Sequence, residues 1–426
     1  MQTQNQNDTL QKDQEIKEKL RATNHYAYYP EDEKDIPPYL AYGFRPIFLL
    51  LAPYMIISMV LWGLVWSGVL SIPFMNDTLT WHIYEMLFGI LTAGTMAFLT
   101  TGLPELFPGM VPFVGRRLIY IVGLWVAGRI SFWTIDITGV WLSAILNLAM
   151  LFWLIWFAKD VVLDRLQRHA SIGYSLVLIF IIECWFFASM LKYVDSDPMA
   201  ILKISVGAIS ILILLALRRV NMEAINELME DKDIDDIYIS RPPKTNLAIF
   251  TIVIFTIVEF LYPNNSVLGW LGLACGAAIL GITSDYKLEN KFILNLSYVI
   301  YLGAIPIMMA IGYILIGWDL LDDTIYGINH FRHFITSGAI GLSYLLIMII
   351  VSWIHTGRDL VSDIYSHMMV GFMILATILR GIIPFYEEYS FELYLYSSIL
   401  WALPFIIYIK IFFKFLMTPR ADGIKG

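Results

Sequence analysis

Apolar runs of about twenty residues recur along this chain from Ile47 to Leu416, and they leave few folds open. Each run can cross a hydrocarbon core of roughly 30 Å at about 1.5 Å per residue. A soluble domain would alternate such runs with polar faces, and most of these runs do not alternate. Only 15% of the 426 residues are charged and 58% are hydrophobic, whereas soluble domains carry roughly a quarter charged residues. The chain therefore reads as an all-α integral membrane protein with about twelve transmembrane helices. The expected spans lie near 47–70, 81–103, 116–135, 139–159, 172–194, 198–217, 246–263, 266–284, 291–317, 329–354, 361–384 and 392–416.

Lysine and arginine fall in alternate loops, which orients the spans by the excess of basic residues on the cytoplasmic side. One set holds Arg116, Arg117, Lys159, Arg165, Arg168, Arg218, Arg219, Lys232, Arg241, Lys244, Lys287, Lys291, Arg358, Lys414, Arg420 and Lys425. The opposite loops carry Asp77, Asp136, Asp195, Asp197, Asp319, Asp322 and Asp323 instead, with Arg380, beside Glu387 and Glu388, as an exception. Both termini are then cytoplasmic. The expected organisation is a polar tail over 1–38, a first six-helix half over 39–217, a charged cytoplasmic linker over 218–245, a second half over 246–417 and a short tail over 418–426.

The net charge of −8 comes largely from the amino-terminal tail and the loops, so nothing points to nucleic acid. The polar start does not read as a cleavable signal and is expected to be disordered or peripheral. Cys184 and Cys275, both within apolar runs, supply no disulfide framework and no CxxC metal site.

An ionisable side chain inside a span is costly, so each is a functional candidate by default. The second span opens Trp81-His82-Ile83-Tyr84-Glu85-Met86. Helical spacing puts His82, Glu85, Met86, Gly89 and Ala93 on one face, where the small residues would admit a neighbouring helix or a planar cofactor. An interfacial histidine beside a close crossing is the plainer reading. The tenth span opens His330-Phe331-Arg332-His333 and continues to Ser337 and Gly341 on one stripe. Both spans run the same way, so His82 and His333 sit at similar depth near the outer face. Two helices presenting imidazoles at matched depth suit a membrane b-type haem, or a histidine-rich copper site.

His355 lies roughly 33 Å further along the tenth helix, on the opposite side. It starts His355-Thr356-Gly357-Arg358, and His367 follows two turns into the eleventh span. A second metal or haem site there competes with a simple capping turn that leaves Arg358 at the anionic lipid surface. His169 reads as interfacial, and His25 lies in the tail. Arg129, deep in the third span, needs a carboxylate, helix carbonyls or a cofactor propionate. Glu183 and Glu259 are further intramembrane acids, for proton transfer or structural pairing. With Arg129 they define the midplane site that a twelve-helix secondary transporter would need. A terminal oxidase or nitric oxide reductase core would need about six histidines within its helices, more than these two sets provide.

Several stretches together resemble the NnrS family. Arg45-Pro46-Ile47-Phe48-Leu49 is similar to its RPFFL opening, and Trp81 to Gly89 to its WHxHEMLFG segment. Thr101-Gly102-Leu103-Pro104 is similar to TAVP, Trp125 to Arg129 to WxxGR, His333 to Gly341 to HAxTxGAxG, and His355 to Arg358 to HTGR. The resemblance implies a bacterial inner-membrane protein containing haem and copper, tied to nitric oxide metabolism and protection from nitrosative stress. It carries His82, His333, His355, Glu85, Arg129 and Arg358 as matched positions. Tyr84 stands where the family usually has a second histidine, which weakens the copper expectation; His330 and Met86 are substitutes.

The leading expectation is a haem b protein binding nitric oxide or a related small ligand. His82 and His333 serve as axial or nearby ligands, Arg129 balances propionates and Glu85 orients an imidazole. The residues themselves establish neither enzymatic turnover nor an oligomeric state.

Overall fold

The computed structural model describes residues 36–72, 76–106, 112–162, 170–230, 232–263, 265–286, 296–322 and 327–423. His25, His169, Arg165, Arg168, Lys287, Lys291, Asp323 and Lys425, like most of the amino-terminal tail, lie outside the described residues. Twelve long helices make up the described chain. The first six are α1 Phe44–Trp66, α2 (Thr78–Tyr84, Glu85–Gly89 and Ile90–Leu106 in continuous sequence), α3 Gly115–Trp133, α4 Val140–Val162, α5 Ala170–Met190 and α6 Pro198–Glu230. The others are α7 Pro242–Leu261, α8 Ser266–Ile282, α9 Ser297–Asp322, α10 (Ile328–His333, Phe334–Ile340 and Gly341–Ile354), α11 Ile364–Gly381 and α12 Ser390–Met417.

Eleven of the twelve are long and apolar enough to cross a membrane. The remaining one, α3, carries Arg116, Arg117 and Arg129 along its length. A helix satisfies its own backbone hydrogen bonds, which is what a spanning segment requires. Several helix starts are set by a side chain taking an otherwise orphaned amide. Asp77 accepts from Thr80 N at 3.0 Å, Asn265 from Val267 N at 2.9 Å and Asp363 from Ser366 N at 2.8 Å. Large apolar side chains also face outward, among them Tyr120 at 76% and Trp270 at 66% exposure. In water such a surface would be an aggregation liability; in a bilayer it is the lipid contact.

The two halves are interleaved. α1 packs on α2 and, more extensively, on the last helix α12, while α9 meets α6. α8 and α9 approach backbone to backbone: a Cβ at Gly272 would lie 2.8 Å from the Tyr313 carbonyl oxygen, so only glycine fits. Arg45, fully buried at the start of α1, donates to the carbonyl oxygens of Phe415, Leu416 and Thr418 at 3.2, 3.0 and 2.7 Å. It thereby satisfies the carboxy-terminal end of α12.

The expected linker over 218–245 is largely ordered helix. α6 continues to Glu230 because Asn221, Ala224, Ile225, Leu228 and Met229 recur on one face and bury it. The chain then turns back: Asn226 Oδ1 accepts from Tyr238 N at 2.8 Å, and Asn221 Nδ2 donates to Tyr286 Oη at 2.7 Å.

Candidate functional site

Two of the twelve helices widen into a π-helical turn, and each does so beside a histidine named from sequence. In α2 the wide turn is Glu85–Gly89, starting three residues after His82; in α10 it is Phe334–Ile340, starting directly after His333. Such turns free carbonyl groups and recur at functional sites. Here a tryptophan indole takes up one carbonyl in each: Trp125 Nε1 donates to Gly89 O at 2.9 Å, and Trp401 Nε1 to Ser337 O at 3.4 Å.

The wide turn in α2 divides the stripe expected from regular helical spacing. His82, Met86 and Ile90 face one cavity. Glu85 and Gly89 face α3 instead. Arg129 Nη1 donates to Glu85 Oε2 at 2.6 Å, and a Cβ at Gly89 would run into that guanidinium at 2.5 Å. Gly89 therefore admits an arginine rather than a cofactor. Tyr54 also donates to Glu85, and Arg129 to Asn147, whose amide nitrogen donates to Ser143 O at 2.9 Å. Glu85 is thus engaged by Arg129 and Tyr54, and of the partners expected for Arg129 the structure supplies a carboxylate. Tyr84 turns towards α5: its hydroxyl donates to Glu183 Oε1 at 2.7 Å, and its ring stacks on Phe132 at 3.8 Å.

The cavity itself is small, with a volume of about 70 Å³. It brings together His82 of α2 and His333 of α10, far apart in sequence, with walls from α1, α11 and α12. The His82 imidazole stacks on the Trp62 indole, 4.0 Å between centroids and 3° from parallel, and its Nδ1 is buried without a hydrogen-bond partner. His333 Nδ1 donates to Asn329 O at 2.8 Å, which leaves Nε2 as the ring's lone-pair nitrogen. Met55, Met59 and Met86 add three thioethers to the lining. Among the described residues, no group of three or more His, Cys, Asp or Glu side chains is arranged to hold a metal ion.

Arg380, the basic exception among the acidic loops, is also in this wall. Its Nη1 donates to His330 Nδ1 at 2.5 Å and its guanidinium lies 4.7 Å from the Tyr394 ring centre. Among the described residues it pairs with no carboxylate. His330 therefore holds the cation and is not itself in the cavity lining.

The remaining sequence-predicted residues lie elsewhere. His355 is at the far end of α10, with Tyr42 and Phe44 at 5.7 and 6.0 Å. His367 Nδ1 donates to Asp363 O at 2.5 Å, and its ring is 5.7 Å from Tyr301. The two histidines have different neighbours. The turn after His355 clasps the carboxy terminus: Ala421 N donates to Thr356 O at 3.0 Å, and Arg358 lies 4.0 Å from the Phe415 ring centre. Burial against this end lowers the Arg358 pKa from its ordinary value. Glu259 pairs with Arg332, so it does not join Arg129 and Glu183 in one midplane site.

A model of the NnrS protein family matches residues 38–420, nearly the whole chain and every residue of the cavity. The chain belongs to the NnrS family. No curated protein and no solved structure matches it. Within this NnrS-family chain, the family-like segments divide by location. Trp81 to Gly89 and His333 to Gly341 build the two wide turns at the cavity, whereas Arg45 and His355 to Arg358 secure the carboxy-terminal end of α12.

Proposed function

We propose that this NnrS-family chain is a bacterial inner-membrane protein in which a b-type haem would be held at the cavity of His82 and His333, as axial or nearby ligands, and would engage nitric oxide there. The reading rests on one observation: two imidazoles from separate helices line a single cavity whose cation, Arg380, has no carboxylate partner among the described residues. The donor set fits the group. His82 offers a buried nitrogen that has no hydrogen-bond partner among the described residues. His333 has its tautomer fixed by the Asn329 carbonyl, the usual way a ligating imidazole is oriented. A haem supplies ferrous iron, which binds nitric oxide directly.

The chain's own residues perform three tasks. Trp62 fixes the plane of the His82 ring by stacking, so the ring loses no rotational freedom when it ligates. Arg380, steadied by His330 and Tyr394, supplies positive charge for a propionate. Met59, Ile90 and Ile340 add apolar surface to the cavity wall, which suits a small uncharged ligand. Copper is a second expected cofactor, and Met55, Met59 and Met86 are the soft donors that would hold Cu(I) beside the histidines. The distribution of lysine and arginine supports placing this cavity near the periplasmic face, with both termini in the cytoplasm.

The test is a reduced-minus-oxidised spectrum and metal analysis of protein purified from haem-replete cells. A Soret band with b-type α and β bands, shifted by nitric oxide, is the expected result. Pure, monodisperse protein without any such band would overturn the reading.

A further inference from the structure

A second cavity, of about 120 Å³, lies on the other side of Tyr344 from the histidines. Tyr344 lines both spaces, alone among the described residues. The second cavity is a partly open space lined by α1, α2 and α10 together with α5, α6 and α9, and so lies between the two halves of the chain. Its wall is made of side chains such as Leu51, Leu91, Leu212, Ile305 and Met348, and it contains no charged residue. Its hydroxyls are those of Thr95, Ser343 and Tyr344, and Ser343 is already committed, donating to Ile340 O at 2.7 Å.

A space of this kind does not hold water well. Buried water needs two to four polar partners, and apolar cavities in proteins stay dry and take up xenon or small hydrocarbons. Tyr344 is fixed as the partition from the opposite side. Gly94 of α2 abuts its ring so closely that any Cβ there would overlap the aromatic carbons. The ring sits one turn beyond the end of the wide turn in α10, so the segment that carries His333 also carries the partition.

We propose that this second cavity is a binding site for a small, uncharged, apolar gas of the size of nitric oxide. It would act as a store that exchanges with the histidine cavity past Tyr344. The apolar, uncharged character of the occupant follows from the lining; the choice of nitric oxide as the physiological gas rests on the function proposed above.

Xenon serves as the probe, because it needs no haem. Protein in nanodiscs with ¹³C-methyl methionine, its Met348 signal assigned from Met348→Leu, would be titrated with xenon pressure. A saturable shift of the Met348 methyl resonance is expected. It should be lost in Leu212→Trp and in Leu302→Trp, two separate ways of filling the space, each checked for folding by size exclusion and circular dichroism. No shift in the unaltered protein overturns the proposal, and so does a shift that persists in a folded filling variant. A lipid or isoprenoid chain retained by the purified protein and released only when Leu212→Trp fills the cavity also overturns it. A xenon shift in protein that lacks a Soret band leaves this site standing while sinking the haem reading. For haem-loaded protein, Tyr344→Ala should speed carbon monoxide rebinding after photolysis, and filling by Leu212→Trp should reduce the fraction of ligand that escapes to the store.

Discussion

Arg129 of α3 and Glu85 of α2 face each other at 2.6 Å, both almost wholly buried, at the widened turn of α2. A lone charge in that setting is expensive, and removing one partner of a buried pair typically costs about 3–5 kcal/mol. Arg129→Gln should therefore lower the thermal midpoint of the detergent-solubilised protein markedly. The double variant Arg129→Gln with Glu85→Gln should recover part of the loss, because neither charge is then stranded. A double variant as damaged as the sum of the singles would show that the two residues act independently.

That pair also shows where the sequence was readable and where it was not. The spans were legible because hydropathy is a one-dimensional property, summed over about twenty residues and indifferent to which face points where. Facing is another matter. A regular 3.6-residue period places His82, Glu85 and Gly89 together, whereas the wide turn at Glu85–Gly89 sends His82 to the cavity and Glu85 to Arg129. Nothing in Glu85-Met86-Leu87-Phe88-Gly89 announces a π turn; in the fold it is accompanied by Trp125, on another helix, taking the Gly89 carbonyl. Arg380 did leave a signal, as a cation in a loop set otherwise acidic, but its cavity position required the packing of α11 against α10. The α6 extension to Glu230 was masked by its charges, although the apolar face through Met229 was present.

His82→Ala and His333→Ala should each abolish or strongly shift the haem spectrum while leaving membrane insertion intact, because each removes one cavity imidazole. His355→Ala should leave the spectrum unchanged, since His355 sits at the other end of α10 against Tyr42 and Phe44. Loss of the spectrum in His355→Ala alone would move the haem to the opposite end of the bundle.

Arg45→Leu removes three donations to the last carbonyls of α12. Hydrogen bonds from a charged group are worth about 1.5–3 kcal/mol each, less any relief from no longer burying the charge. The loss should be local. Amide exchange over residues 412–418 should rise, and trypsin should cut after Lys414 sooner than in the unaltered protein. Uniform protection at that end would show that the α12 terminus is held by packing alone.

Arg380 offers the sharpest test of how the cavity treats charge. Its guanidinium is held by the neutral His330 ring nitrogen and the Tyr394 face rather than by an acid, so its charge is not cancelled locally. A positive charge near a haem favours the ferrous state, because reduction adds an electron. At an effective dielectric of about 20, one unit charge roughly 5–15 Å away is worth about 1–3 kcal/mol. Arg380→Gln should therefore lower the midpoint potential by tens of millivolts, read by optical redox titration, without removing the Soret band. His330→Ala should shift the potential in the same direction but less, since it frees the guanidinium without deleting it. An unchanged potential in Arg380→Gln would mean that the cation is compensated from elsewhere, and its place as the propionate partner would pass to another residue.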